Sequence, residues 1–308
     1  MSTQNVLFDA PGPKARRRHA IFTLLGFGLA AVTLALVLWK LQAQGQLDPS
    51  MWTVLFTADV WTEYLIPGLI NTIKAAAISI VFALAFGLLF GMGRLSPNRP
   101  IRWASGVVVE FFRSVPVLLM MYFFFQVFAF NNYFGTDYNS LAAVVLSLTL
   151  YNGSVIAELV RSGVHSLPSG QSEAGLSIGL TPGQTLRSIQ LPQALTAMLP
   201  ALVGQLVVIL KDSALGTAIT YPELLQAAKD VGTAYGNVIP AYVLAALIFI
   251  VINYGLTISA GRVERGLSRR GRGPRKGGAT GVVGTTVDGS LGGPLEDAVV
   301  GEAPGPPR

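Results

Sequence analysis

The chain has 308 residues, of which 51% are hydrophobic and 12% charged, with a formal net charge of +6 and no cysteine. That charge content is about half that of an ordinary soluble domain and too little to cover the surface of a soluble fold of this length. The lack of cysteine excludes disulfides, thiolate metal sites and cysteine nucleophiles. His19 and His165 have no partners at ligand spacing, so no metal site is expected.

A helix needs about 20 residues to cross a hydrocarbon core of about 30 Å. The stretches long and apolar enough are 20–39, 66–94, 104–129, 141–163, 195–218 and 238–260, which predicts an all-α membrane protein with about six transmembrane helices. Residues 1–19 form a basic segment, and the apolar stretch after it is too long for a signal peptide, with no small-residue cleavage site following. A retained N-terminal anchor at 20–39 is therefore expected. In the second span Gly87 and Gly91 have the small-residue spacing that lets membrane helices approach closely. Pro116 in the third span and Pro200 in the fifth each delete a backbone hydrogen bond and predict bends. Between the fifth and sixth spans, YPELLQAAKDVG predicts a short outer helix from Pro222 to just before Gly232. The tail, 263–308, is rich in Gly and Pro, which predicts disorder. The chain has no Gly-rich phosphate loop and hence no nucleotide site of its own.

Lys and Arg collect on cytoplasmic flanks. Placing both termini inside puts Arg16, Arg17, Arg18, Arg94, Arg99, Arg102, Arg187, Arg262 and the basic tail on the cytoplasmic side, and leaves Lys40 and Lys229 outside. The positive charge is thus a topology signal, and a nucleic-acid partner is not expected.

Ionisable groups at membrane depth cost a few kcal/mol and mark cavities or partners. Glu110 and Arg113 share a face of the third span, as Glu158 and Arg161 do of the fourth. At 1.5 Å per residue, Arg113 falls about 14 Å and Glu158 about 8 Å above the cytoplasmic ends of their spans. Lys74 falls about 12 Å, and Lys211 with Asp212 about 10 Å, below the outer ends of theirs. These two layers are expected to be gates or stations on a substrate path, with Asn152, Gly153 and Ser154 between them; structural locks that never touch substrate are the alternative. No nucleophile with an adjacent base and no cofactor loop is present, so the chain is not expected to be an enzyme.

Residues 173–192, EAGLSIGLTPGQTLRSIQLP, lie between two apolar spans. Ser169 is expected to cap a short helix and Gly179 to end it in the left-handed conformation. Thr181, Pro182 and Gln184 then form a capping box for a second helix. Glu173, Ala174, Gly179, Ile189, Leu191 and Pro192 stand at the spacing of the Glu-Ala-Ala loop of ABC importer membrane subunits, with Gly175 where a second Ala is usual. With GLINTIKAAAISIVFALAFGLLFGMGRLS, VEFFRSVPVLLMMYFFF, YNGSVIAELVRSGV and LKDSALGTAIT, the chain resembles the polar amino acid ABC permeases over about 64–262. Within that family it looks most like the glutamate permeases of high-GC Gram-positive bacteria.

The resemblance implies a five-helix permease core, to which the anchor helix is an addition, with a coupling loop at 165–194. It implies a bacterial plasma-membrane importer of a polar amino acid, glutamate above others, in which Glu173 and Leu176 meet a separate ATPase. Further partners implied are an ATPase dimer that binds the ATP and Mg, a second permease (identical or related), an extracytoplasmic substrate-binding protein and membrane lipid. Two rival readings remain. An ion-gradient-driven secondary transporter would carry paired carboxylates or broken helices in two repeated halves, and no such repeat is found. A non-transporting membrane scaffold would not need charges at depth.

Overall fold

The structure, a computed structural model, describes residues 12–271, all helix and connection with no strand among them. The disorder expected for 263–308 does not hold for 263–271, which continue the last helix to Gly271, and the rest of that tail lies outside the described residues. The helices are α1 (Pro13–Ala43), α2 (Pro49–Thr53), α3 (Ile66–Arg94), α4 (Arg99–Ser114), α5 (Val117–Asn131), α6 (Asn139–His165), α7 (Gly170–Ser177), α8 (Pro182–Thr185), α9 (Leu191–Asp212), α10 (Leu224–Tyr235) and α11 (Val238–Gly271). A π turn, Val60–Leu65, leads into α3; another, Leu186–Gln190, joins α8 to α9; and a 3-10 turn, Ser213–Ile219, continues α9. Five stretches are long and apolar enough to cross a membrane, or six if the bent pair α4 and α5 counts as one.

α1 is longer than its apolar stretch, because Pro13 opens it ahead of the basic cluster, and none of its residues is buried. An apolar helix with no buried residue is what a lipid-facing anchor requires. α3 and α6 pack backbone to backbone. A methyl group at Gly87 would overlap Ile156, and one at Gly91 would come within 2.9 Å of Val160, so the small residues serve contact within the chain. Ala83, Met121, Leu148, Ile156, Met198 and Ile209 fill the main core between α3, α5, α6 and α9. Gly153 does not break α6; the helix is continuous there, and the glycine makes room for the Phe86 ring.

The expected third span, 104–129, is two helices bent by 96°. Pro116 disfavours the helical conformation in the residue before it, and Val115 is extended at φ −87°, ψ 126°. The proline therefore marks a sharp corner between two helices. α4 carries Arg99, Arg102, Glu110 and Arg113 within 16 residues, a composition suited to an interface and not to a crossing. Arg113 stands at this corner, so counting residues along one straight helix does not fix its depth. Pro200, by contrast, lies inside α9 as expected.

The outer helix also differs from expectation. Glu223 caps it, so α10 starts at Leu224 and runs through Gly232 to Tyr235, with Gly236 in the left-handed conformation at φ 68°. Gly232 allows close approach of Val238, whose Cα would stand 2.7 Å from an added methyl. Leu224, Ala228 and Val231 pack with Leu55, Val60, Leu65, Ala241 and Ala245 in a second core, so α10 belongs to the fold.

Candidate functional site

The loop 165–194 contains one short free-standing helix, α7, and a second helical stretch that runs on into α9. Gly179 adopts φ +85°, its N–H donates to Leu176 O at 3.0 Å, and Leu180 N–H donates to Gly175 O at 3.2 Å, closing the C-terminus of α7. The Thr181 capping box forms as expected: Gln184 N–H donates to Thr181 Oγ1 at 3.4 Å, and Thr181 N–H donates to Gln184 Oε1 at 2.9 Å. Ser169 departs from its expected role. It is already helical at φ −56°, ψ −31°, and its side chain caps nothing; its carbonyl accepts from Glu173 N–H at 3.2 Å instead.

The loop residues divide between two jobs. Glu173, Ala174, Leu176 and Ile178 are exposed, whereas Gly175 is buried against Thr185 and Ile189. A Cβ at Gly175 would lie 2.6 Å from Thr185 Cγ2, so the glycine in place of the usual alanine has a packing cause that propensity alone did not show. Ile189 is half-buried against Gly175 of α7, Leu191 is half-buried against the main core, Pro192 lies in the first turn of α9, and Gln193 Nε2 donates to Gln171 Oε1 at 2.9 Å across the two helices. Glu173, in the first turn of α7, also complements the positive end of the helix dipole.

The two inner charge pairs are one network with a member that sequence reading counted only toward topology. Arg94, at the end of α3, contacts Glu110 at 3.0 Å and Glu158 at 2.8 Å. Arg161 donates through Nε to both Glu158 oxygens, at 3.1 and 3.2 Å. Arg113 stands farther off, 3.5 Å from Glu110 and 3.7 Å from Glu158. Three guanidiniums surround two carboxylates, so the cluster carries one net positive charge and ties the ends of α3, α4 and α6 together.

Between the expected charge layers, Asn152 is fully buried. It donates to Leu148 O at 3.1 Å and accepts from Gln205 Nε2 of α9 at 2.5 Å. Gln205 was missed because a lone glutamine in an apolar run gives no pattern. Ser154 is equally buried on α6. The expected outer layer is looser. Lys74 Nζ lies 5.2 Å from the Tyr138 ring centroid, a cation–π distance, and no ion pair or hydrogen bond joins it to Lys211 or Asp212 among the described residues.

Beyond the C-terminal end of α9, the chain is latched to α3. Tyr221 Oη donates to Asn71 O at 2.9 Å, Asn71 Nδ2 donates to Pro222 O at 2.9 Å, and Leu224 N–H donates to Thr72 Oγ1 at 3.0 Å. Glu223 is fully buried, and its carboxylate accepts from Leu225 and Gln226 N–H at 2.8 and 2.7 Å. Burial pushes its pKa up to about 7 against those bonds, and burial likewise raises that of Tyr221.

Residues 83–269 match the family described as "Binding-protein-dependent transport system inner membrane component". The glutamate transport system permease protein GluD of Corynebacterium glutamicum is 47% identical over 232 residues, 75% of this chain and 85% of that protein. The probable glutamine ABC transporter permease protein GlnP of Bacillus subtilis (strain 168) is 36% identical over 204 residues, 65% of this chain and 92% of that protein. Among solved structures, a crystal structure of an amino acid ABC transporter with histidines aligns with a TM-score of 0.59 at 25% identity, covering 68% of this chain and 95% of that one. The match spans the α3–α6 packing, the ionic network and the α7 loop alike. The chain is a multi-pass membrane protein that belongs to the binding-protein-dependent inner-membrane component family, among its amino-acid ABC permeases.

Proposed function

We propose that the chain is one half of the translocation pathway of an ATP-driven importer for a polar amino acid, glutamate first among them, and that α7 is where a separate ATPase grips it. The observation that carries this reading is the construction of the loop. α7 is stopped by left-handed Gly179, seated on Thr185 and Ile189 through Gly175, and presents Glu173, Leu176 and Ile178 outward. A carboxylate with two apolar anchors on a stiff short helix suits insertion into a cleft, where charge-assisted hydrogen bonds fix register. The name of the C. glutamicum relative favours glutamate.

On this reading an ATPase dimer binds the ATP and Mg, a second permease completes the pore, an extracytoplasmic binding protein delivers substrate, and both termini face the cytoplasm. The inner network acts first as a lock. Arg113, 37% exposed and loosely paired, is its member with donors to spare for a substrate carboxylate. Glu110, Glu158 and Arg161 hold helices, Asn152 ties α6 to Gln205 of α9 beside the path, and Lys74, Lys211 and Asp212 line the path further out.

Co-purification of the ATPase with the intact chain and its loss in Glu173→Lys, with ATP-dependent uptake of labelled glutamate surviving a collapsed ion gradient, is the expected outcome. Retention of the ATPase by Glu173→Lys would remove the docking role. Uptake that stops with the gradient while ATP is present would favour a secondary transporter.

A further inference from the structure

A cavity of about 720 Å³, within the usual range for ligand sites, opens between the end of α3, the start of α4 and the second half of the α7 loop. Phe90, Met92, Ile101 and Leu186 give it an apolar wall, Arg187 stands on its polar side, and no carboxylate lines it among the described residues. Arg102 lines an adjoining hollow that shares Ser96, Pro97 and Leu186 with it, and its Nη1 donates to Ser96 O at 2.9 Å. α4 leaves Trp103 73% exposed, and tryptophan is the side chain that settles at the headgroup level of a bilayer. An apolar wall at headgroup depth with a cationic rim fits an amphiphile with an anionic head.

We propose that this cavity binds an anionic phospholipid of the cytoplasmic leaflet, with its phosphate between Arg187 and Arg102 and an acyl chain along Phe90, Met92 and Ile101. This rests on the orientation proposed above. Because one wall is the segment 181–188 of the coupling loop, the lipid braces the seat of α7 against α3 and α4.

The chain has no cysteine, so Ser188→Cys at the cavity wall provides the one reporting thiol of this chain, read on its own band after the subunits are separated by denaturing electrophoresis. The whole importer carrying it is placed in nanodiscs of phosphatidylcholine alone or mixed with phosphatidylglycerol and labelled with an uncharged maleimide. Phosphatidylglycerol should slow labelling about fivefold, and each arginine near an anionic surface supplies about a fivefold factor in affinity. Protection should shrink below about twofold in Arg187→Gln and also in Arg102→Gln, which lies outside the loop. Equal labelling in the two lipid mixtures, protection that persists in both variants, or protection already complete in phosphatidylcholine, as a covering protein subunit would give, overturns the proposal. Slowing by soluble glycerol phosphate in phosphatidylcholine discs does the same, because it assigns the site to a soluble phosphate compound. An impermeant maleimide reports separately on orientation: the thiol should react in inside-out vesicles and stay silent in right-side-out ones, whatever the lipid result.

Discussion

Arg94→Gln should loosen the inner helix ends far more than Arg113→Gln, although both guanidiniums face the same two carboxylates. Arg94 is 14% exposed and lies 2.8 Å from Glu158 and 3.0 Å from Glu110. A charge-assisted hydrogen bond to a partly buried carboxylate contributes roughly 1.5–3 kcal/mol. The contact with Glu110, itself 59% exposed, adds at most about 1 kcal/mol, so the loss should be about 1.5–4 kcal/mol. Arg113 is 37% exposed, with contacts of 3.5 and 3.7 Å, beyond direct hydrogen-bond range. Its loss should stay below about 1 kcal/mol. The assay is a double-mutant cycle with Glu158→Gln, read by denaturant unfolding of the purified importer. The expected coupling is about 2 kcal/mol for Arg94 and under about 0.5 kcal/mol for Arg113. Equal couplings, or none for Arg94, would refute the view that Arg94 is the centre of the lock.

Gly175→Ala restores the alanine usual in related loops and gains up to about 1 kcal/mol of helix propensity, yet it places a Cβ 2.6 Å from Thr185 Cγ2 and 2.8 Å from Oγ1. Overpacking of this kind costs about 1–3 kcal/mol, so the variant should lose ATPase affinity, and adding Thr185→Ala should restore it; an affinity unchanged by Gly175→Ala alone would remove the steric argument. Glu223 has its pKa raised from 4.5 to about 7, so the folded protein holds this proton more tightly than the unfolded chain. Stability from this group is full below about pH 4.5 and falls as pH rises to 7, by at most roughly 3 kcal/mol. Thermal unfolding at pH 5 and pH 8 should show that loss in the wild type and a flatter response in Glu223→Gln; identical slopes would refute it.

Hydropathy made the number and order of the apolar helices legible, because lipid requires long apolar runs whatever packs beside them. The corner within 104–129 was hidden for the same reason: an amphipathic helix followed by an apolar one averages to a single apolar run, and only Pro116 records the break. Gly179 and the Thr181 box were readable since their chemistry is local. Ser169 was not, because the helical conformation it adopts after Pro168 is set by the chain around it. The (i, i+3) pairs Glu110–Arg113 and Glu158–Arg161 were visible as spacing, whereas Arg94 joins them only through the close packing of α3 on α6. Glu223, likewise, reads in the sequence as part of a helix beginning at Pro222, and its role as the buried cap of α10 shows only once its carboxylate is seen to accept from Leu225 and Gln226 N–H.

The arrangement at the inner ends has a mechanical consequence under the proposed coupling. Glu158 lies about 10 Å up α6 from His165, and α7 begins at Gly170. A displacement of α7 therefore reaches Glu158 through two turns of continuous helix and one short link. α3 and α6 cannot slide freely against each other, because Ile156 and Val160 sit where side chains on Gly87 and Gly91 would be. Glu158, in contrast, has Arg94, Arg113 and Arg161 around it, so a shift can exchange partners without stranding a charge. α4 is held to this unit on its charged side through Glu110 and Arg113, the most exposed members of the network, and is separated from α5 by an extended Val115. The α3–α6 pair is thus the rigid arm, and the corner at Val115–Pro116 is where the smallest backbone change lets α4 move against it.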